Sequence, residues 1–258
     1  MISIIIPSRQ EKYLQKTIDS IESAVEGPVE IIVGFDGAPQ DIKTNLPISA
    51  IVMDEPIGQR ALMNRMVEVA RGEYILKTDA HCYFSKGFDT QLIRDLPERG
   101  IIAPRLLVLD EETWKPKPKP MSSAYCFDTE LTMHYHHDWE NDDLVNDTMC
   151  LQGSCFMLRR KDYEGWGVCD EALGSWGHQG VELGIVAFLN GGKCYTSKNC
   201  FYAHLFRHED REFPYKRDRG LLKKTHDLFL KKFLTDDIIP LVQRYKYPFG
   251  WSVENSVR

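Results

Sequence analysis

The chain has 258 residues, of which 43% are hydrophobic and 27% charged, a composition typical of a globular protein with one substantial core. Its formal net charge of −6 argues against a general polyanion-binding protein, although a local basic patch remains compatible with it. No run of about 18 apolar residues occurs, and the apolar N-terminus is too short and lacks the basic residues of a signal peptide. The sequence therefore predicts neither a membrane span nor a secretion signal.

The first half of the chain alternates strand and helix signals. In chain order these predict a strand at 2–6, a helix at 11–25, strands at 30–35 and 50–53, a helix at 60–71 that Gly72 ends as a C-cap, and a strand at 73–78. This alternation is typical of a parallel sheet with helices on both faces.

The rest of the chain is less regular. The predictions there are an extended surface segment at 115–120, a polar and aromatic loop at 128–147 over the site, a strand at 151–158, a helix at 180–189, a strand at 194–202 and a helix at 219–233. We find no internal repeat and no linker, which indicates a single domain.

Polar residues follow the predicted strands of the first half. They are Pro7-Ser8-Arg9, Asp36-Gly37 and Asp79-Ala80-His81. Parallel sheets bind ligands beyond the carboxyl ends of their strands, so these segments predict a site at one edge of the sheet.

Asp79 and His81 are candidate metal ligands. Alternation along a strand would point both side chains to the same side, and a carboxylate with an imidazole suits Mn²⁺ better than calcium. His204, after a later strand, would supply a third ligand, and Arg207 would grip phosphate oxygens. Taken singly, Asp79 is also compatible with a turn cap, and His204 with a structural histidine.

A glycine-rich segment, 174–182, is a candidate sugar pocket. Its glycines would let the backbone approach a ligand, Trp176 offers a flat apolar face, and Glu182 begins a helix. Glycine-rich turns before helices are common, so this motif alone is weak.

Together these segments resemble the catalytic domain of the polypeptide N-acetylgalactosaminyltransferases and related GT-A glycosyltransferases. The similarity covers roughly residues 1–220 in the same order. Four segments carry the similarity: Gly58–Gly72, Asp79-Ala80-His81-Cys82 with Gly87-Phe88, Gly153–Glu182, and His204-Leu205-Phe206-Arg207 followed by Pro214-Tyr215. Within Gly153–Glu182 the matching residues are Asp162-Tyr163, Gly167, Asp170 and Trp176-Gly177.

The resemblance implies an α/β fold of the GT-A type, a Rossmann-like and mostly parallel nucleotide-binding sheet flanked by helices. A single domain, 1–258, would comprise a nucleotide-sugar-binding half (1–110), an acceptor and catalytic half (111–220) and a C-terminal helical extension (221–258).

The resemblance also implies a set of site residues. Asp79, His81 and His204 would hold Mn²⁺ or Mg²⁺ against the diphosphate of a UDP-sugar. The residues implied to bind the donor are Pro7, Ser8, Arg9, Asp36, Arg60, Asn64, Gly153, His208 and Tyr215. Those implied to act in catalysis are Trp176, Gln179, Glu182 and Arg207.

Two positions depart from the family pattern. Gln179 replaces a carboxylate that contacts sugar hydroxyls, which leaves the donor sugar open. Gly180 stands where related inverting enzymes have an aspartate base, which favours retention, with Glu182 and Asp170 as alternative bases.

The expected function is transfer of a hexosyl or N-acetylhexosaminyl group from a UDP-sugar to a hydroxyl of a saccharide, a peptide or a modified DNA base. Basic residues between Lys216 and Lys232 would suit hydroxymethylated DNA as the acceptor. A catalytically silent nucleotide-sugar-binding module is the other alternative.

Seven cysteines form no Cys-x-x-Cys pair and are interpreted as free thiols. With the absence of the anchor, stem and lectin domain usual in the Golgi enzymes, they favour a bacterial or viral cytoplasm as the location. His134, His136 and His137 would form either a second metal site, an acceptor-binding loop or a plain surface loop.

Overall fold

The computed structural model describes residues 1–207 and 219–246, and its sheets and helices alternate as predicted. The strands are β1 (Ile2–Ser8), β2 (Val29–Asp36), β3 (Ile48–Met53), β4 (Tyr74–Thr78), β5 (Cys82–Phe84), β6 (Gly100–Leu109), β7 (Pro116–Pro120), β8 (Tyr125–Phe127), β9 (Met133–Tyr135), β10 (Val145–Thr148), β11 (Cys155–Arg159) and β12 (Lys193–His204). The α-helices are α1 (Leu14–Ala24), α2 (Gln59–Val69), α3 (Phe88–Asp95), α4 (Arg160–Trp166), α5 (Gln179–Leu189), α6 (Arg219–Phe233) and α7 (Ile239–Arg244). Within these ranges no helix is both long and apolar enough to cross a membrane.

One large sheet organises the molecule. Its order is β10-β12-β6-β11-β4-β1-β2-β3, with β5 paired to β12 and β7 to β6. Strands β3, β2, β1 and β4 are parallel neighbours. Strand β11 runs antiparallel to both β4 and β6, so β6 points the same way as β4, and β12 is parallel to β6. The predicted α/β fold with a mostly parallel sheet is therefore confirmed.

The central strands are buried on both faces, which explains their continuous apolar runs. In β1, Ile4 and Ile6 pack into the core layer that contains Ile18 of α1, whereas Ile5 faces the layer that contains Met63 of α2. A single strand thus contributes to two cores, and its carboxyl end is held rigidly at the edge of the sheet.

Two local predictions are wrong. Helix α2 ends at Val69, and its C-cap is Ala70 in an extended conformation, not Gly72. Gly72 lies where the chain crosses β1, because a Cβ atom there would come within 2.5 Å of the Ser3 backbone nitrogen. The strand expected at 151–158 begins only at Cys155.

The segment before Cys155 leaves the sheet because it packs against the start of α5. Leu151 N donates to Gly180 O at 3.2 Å. A Cβ atom at Gly180 would lie 1.8 Å from Leu151 O, so no side chain fits at position 180 with this backbone. Gly153 consequently sits in a turn beside α5 instead of in a strand.

The Lys-Pro segment is extended and solvent-exposed, as expected. It forms the short strand β7, which pairs with β6 opposite Leu107 and Leu109. Proline lacks a backbone N–H and is tolerated only at such an edge.

Candidate functional site

Asp79, His81 and His204 converge at the edge of the sheet. One ligand atom from each lies within 4.8 Å of the others. Asp79 Oδ2 is 3.2 Å from His204 Nε2 and 4.0 Å from His81 Nε2. One carboxylate and two imidazoles form a donor set suited to a borderline divalent cation such as Mn²⁺.

The convergence comes from strand pairing and not from alternation along one strand. Strand β4 ends at Thr78, and Asp79 and His81 lie in the bend that leads to β5. Strand β5 then pairs antiparallel with β12, with Cys82 opposite His204. Leu205 N also donates to His81 O at 3.1 Å, which fixes the bend against the end of β12.

The protonation states of the three residues suit a cation. Burial lowers the pKa of both His81 and His204, so the two imidazoles are neutral at neutral pH. Burial raises the pKa of Asp79, but the Lys77 charge and the His204 hydrogen bond outweigh it and hold this pKa well below its usual range. A carboxylate with two neutral imidazoles is the form that coordinates a metal.

The two imidazoles present the same ring nitrogen to Asp79. The Nε2 atoms of His81 and His204 both face Asp79 Oδ2. On the other side of the rings, His81 Nδ1 lies 3.2 Å from Glu11 Oε2, whereas the buried His204 Nδ1 makes no hydrogen bond. Asp79, His81 and His204, called the metal-ligand group below, therefore fit a bound cation.

A cavity of about 540 Å³ opens beside these residues. This volume is typical of a small-molecule site. Its lining includes Lys77, Asp79, Gly153, Trp176, Gln179 and His204. Trp176 is 45% exposed, so its ring offers an apolar face to a ligand. The amide nitrogen of Gln179 donates to Cys169 Sγ at 3.1 Å.

The structure places Glu182 and Arg60 outside the lining of this cavity, with Arg60 in contact with residues 174–178, the Trp176 loop. The two side chains are 1% and 2% exposed and form a buried ion pair. Glu182 also accepts a hydrogen bond from Asp170 N at 3.1 Å, and Arg60 donates to Gly177 O at 2.6 Å. Their contacts thus anchor the loop that carries Trp176, and the structure does not bring either of them to the metal-ligand group.

Asn64 lies on a different surface. It donates to Glu171 Oε1 at 2.8 Å and accepts from Tyr163 Oη at 2.8 Å. These residues line a second cavity, and Asp170 is also part of its lining. Asp170 itself accepts from Lys232 Nζ at 2.6 Å, so neither Asn64 nor Asp170 joins the metal-ligand group.

The residues predicted for the nucleotide lie at the ends of β1 and β2. Ser8 ends β1 opposite Phe35, and Asp36 ends β2. Asp36 Oδ1 accepts from Ile57 N at 2.7 Å, which ties the loop before α2 to the strand end. Pro7 and the exposed Arg9 flank Ser8 at the same edge.

Arg207 is connected to the metal-ligand group through Glu11. Its guanidinium forms an ion pair with the Glu11 carboxylate, whose Oε2 lies 3.2 Å from His81 Nδ1. His208 and Tyr215 lie outside the described residues.

A glycosyl transferase family 2 sequence model matches residues 3–167, which is more than half of the chain. The chain belongs to glycosyl transferase family 2. A Drosophila melanogaster protein named putative polypeptide N-acetylgalactosaminyltransferase 13 is 25% identical over 251 residues, covering 85% of this chain and 44% of that protein. The predicted resemblance is thereby confirmed, and the chain spans about half the length of the curated relatives it matches.

The solved structures that resemble this family 2 chain include GalNAc-T7 and Staphylococcus aureus TarS. GalNAc-T7 with UDP, GalNAc and Mn²⁺ has a TM-score of 0.73 at 15% identity, over 95% of this chain and 49% of that one. Staphylococcus aureus TarS 1–349 in complex with UDP-GlcNAc has a TM-score of 0.60 at 12% identity, over 98% of this chain and 77% of that one. These likenesses confirm the predicted fold class.

Sequence reasoning missed two residues of this family 2 site. Lys77 and Glu11 both contact metal-ligand candidates, and neither was singled out. Lysine is rarely buried, so its presence in the apolar strand β4 was a usable signal. Glu11 carried no comparable signal, because only the fold brings it to His81.

Two of the three clustered histidines have separate hydrogen-bond partners. His134 Nε2 lies 2.7 Å from Asp128 Oδ2, whereas His136 Nε2 is hydrogen-bonded to Tyr245 O at 2.8 Å. Within 1–207 and 219–246, Asp79, His81 and His204 are the group that meets the geometry of a metal site, and the second metal site is not found there. Each of the seven cysteines is a buried free thiol.

The buried pair makes Glu182 a stability determinant. We expect Glu182→Gln to lower the free energy of unfolding by about 3–5 kcal/mol, because it leaves the Arg60 charge buried without a partner. Urea denaturation would measure the loss, and the exposed Glu164→Gln should change stability by less than about 0.5 kcal/mol. Wild-type stability in Glu182→Gln, with turnover lost, would instead indicate an acid–base role.

Proposed function

We propose that this family 2 chain is a metal-dependent glycosyltransferase that moves a sugar from a UDP-sugar to an acceptor hydroxyl. The observation that carries the proposal is the convergence of Asp79, His81 and His204 beside the cavity, whose lining includes Asp79 and His204. Complexes of the two similar structures, one with UDP, GalNAc and Mn²⁺ and one with UDP-GlcNAc, support it. A silent binding module would have no need of a complete metal-ligand set.

Different residues would bind the diphosphate, the sugar and the nucleoside of the donor. Asp79, His81 and His204 would hold Mn²⁺ or Mg²⁺, which would neutralise negative charge on the departing UDP. Trp176 would stack its exposed face on a sugar ring. Gln179, whose amide nitrogen donates to Cys169 Sγ, would offer its amide oxygen to a sugar hydroxyl. Ser8 and Asp36 lie at the strand ends where a parallel sheet receives a nucleoside.

The donor sugar is transferred with retention of configuration in this proposal. Among the described residues, Asp79 is the carboxylate that lines the cavity, and it is committed to the cation. Glu182 is held by Arg60 and Asp170 by Lys232, which removes the two alternative bases from the cavity. The acceptor oxygen would bond to the anomeric carbon on the face from which UDP leaves, and a phosphate oxygen of UDP would take its proton.

A hydroxyl on a saccharide or peptide remains the proposed acceptor class. The basic residues that suggested a DNA acceptor give that alternative no specific support. Lys232 is paired with Asp170, and Lys216 and Arg217 lie outside the described residues. Lys223, Lys224 and Lys231 are exposed on α6, as is usual for the solvated face of an amphipathic helix.

Release of UDP from UDP-sugars tests this function. We expect Mn²⁺-dependent release by the wild type and a loss of about 100-fold or more in His204→Ala, because removing groups that only support a metal ligand already costs about 10–100-fold. His134→Ala, which changes a histidine outside the metal-ligand group, should retain wild-type release.

Two results would contradict the proposal. One is the absence of UDP release across a panel of UDP-sugars with Mn²⁺ and candidate acceptors. The other is release that survives both EDTA and the His204→Ala substitution. For the stereochemistry, a proton NMR spectrum showing a β-linked product from an α-linked donor would overturn retention while leaving the enzyme assignment intact.

A further inference from the structure

Lys77 is a buried cation that the proposed chemistry has not used. It lies in β4, paired with Ile5 of β1 and Phe156 of β11, and is only 1% exposed. Burying an ammonium group is costly unless it is paired or hydrogen-bonded. A lysine at this position therefore needs partners at the end of its apolar stem.

The Lys77 ammonium group has two partners in the described structure. It donates to Asp79 Oδ1 and to Gly153 O, the latter at 2.8 Å. An ammonium group has three donors, so one remains. Lys77 lines the cavity together with both of its partners.

The position of Lys77 opposes binding of a cation alone. Asp79 turns Oδ1 to Lys77 and Oδ2 to His204 and His81. A divalent cation at Oδ2 would thus sit one carboxylate away from a positive charge, and like charges at that separation repel. The Asp79 carboxylate offsets part of this repulsion, and an anionic ligand that contacts both cations would offset more of it.

Neutral groups dominate the rest of the cavity. Apart from Lys77, Asp79 and the two imidazoles of His178 and His204, its described lining consists of amide, hydroxyl, aromatic and apolar residues, such as Gln152. Among the described lining residues, Lys77 therefore supplies the fixed positive charge for an anion in this cavity.

We propose that Lys77 binds the diphosphate of the nucleotide sugar directly with its third N–H, and neutralises charge on the leaving group. This inference rests on the proposed function. Lysine serves as a point charge for phosphate oxygens and needs no planar geometry to do so. The alternative is a purely structural lysine that only orients Asp79.

Calorimetric binding separates the two roles. Lys77→Met keeps most of the stem and removes the charge, and its affinities for Mn²⁺ alone, for UDP with saturating Mn²⁺ and for UMP with Mn²⁺ would be compared with those of the wild type. We expect UDP affinity to fall about 10- to 100-fold, the worth of one hydrogen bond to a charged group. UMP, which lacks the second phosphate, should lose less, and Mn²⁺ alone should bind as tightly as to the wild type or more tightly.

Matched variants control the experiment. Lys161→Met removes an exposed lysine on α4 and should leave all three affinities unchanged. Thermal melting would confirm folding, and Lys77→Gln, which retains a donor for Gly153 O, replaces Lys77→Met if the latter does not fold.

The outcomes are distinct. Equal UDP affinity in the variant and the wild type would overturn the inference while leaving the proposed function intact. Parallel losses for Mn²⁺ alone and for UDP would also overturn it, since they would assign Lys77 the structural role. A wild type that binds Mn²⁺ but no UDP would instead overturn the proposed function, and this inference with it.

Discussion

The pairing of β5 with β12 is the contact on which the site depends. Asp79 and His204 are 125 residues apart in sequence, and the antiparallel register that sets Cys82 opposite His204 brings them within 3.2 Å. Because β12 is also bonded to β6 along its length, His204 is fixed by the sheet and not by a loop. A rigid third ligand is what converts a strand-end carboxylate and a neighbouring imidazole into a metal site.

Buried charged residues stabilise the loop and the strand end at the site. Arg60 and Glu182 form an ion pair inside the protein, and Arg60 also donates a hydrogen bond to the carbonyl oxygen of Gly177. The loop that carries Trp176 is thereby held over the cavity by polar contacts that do not face it. Lys77 in turn holds Asp79 and Gly153, and all three residues line the cavity. Arg60 and Glu182 thus stabilise the loop beside the cavity, whereas Lys77 and Asp79 line the cavity itself.

The parts of the fold that could be predicted follow from local periodicity. Helix α6 has the predicted bounds, and β1 extends its predicted run by two residues, because apolar spacing reports burial directly. The parts that failed depend on distant partners. Gly72 looks like a helix cap until Ser3 is seen against it, and residues 151–154 look like part of a strand until Gly180 is seen against Leu151. The three metal-ligand candidates were identified, but the strand pairing that brings them together was not.

The most direct test is a crystal structure with MnCl₂ and UDP, with anomalous differences collected near the manganese absorption edge. We expect one strong peak bonded to Asp79, His81 and His204, with the UDP diphosphate in contact with it. A peak bonded elsewhere, or clear UDP density with no manganese at these three residues, would contradict the proposed metal site.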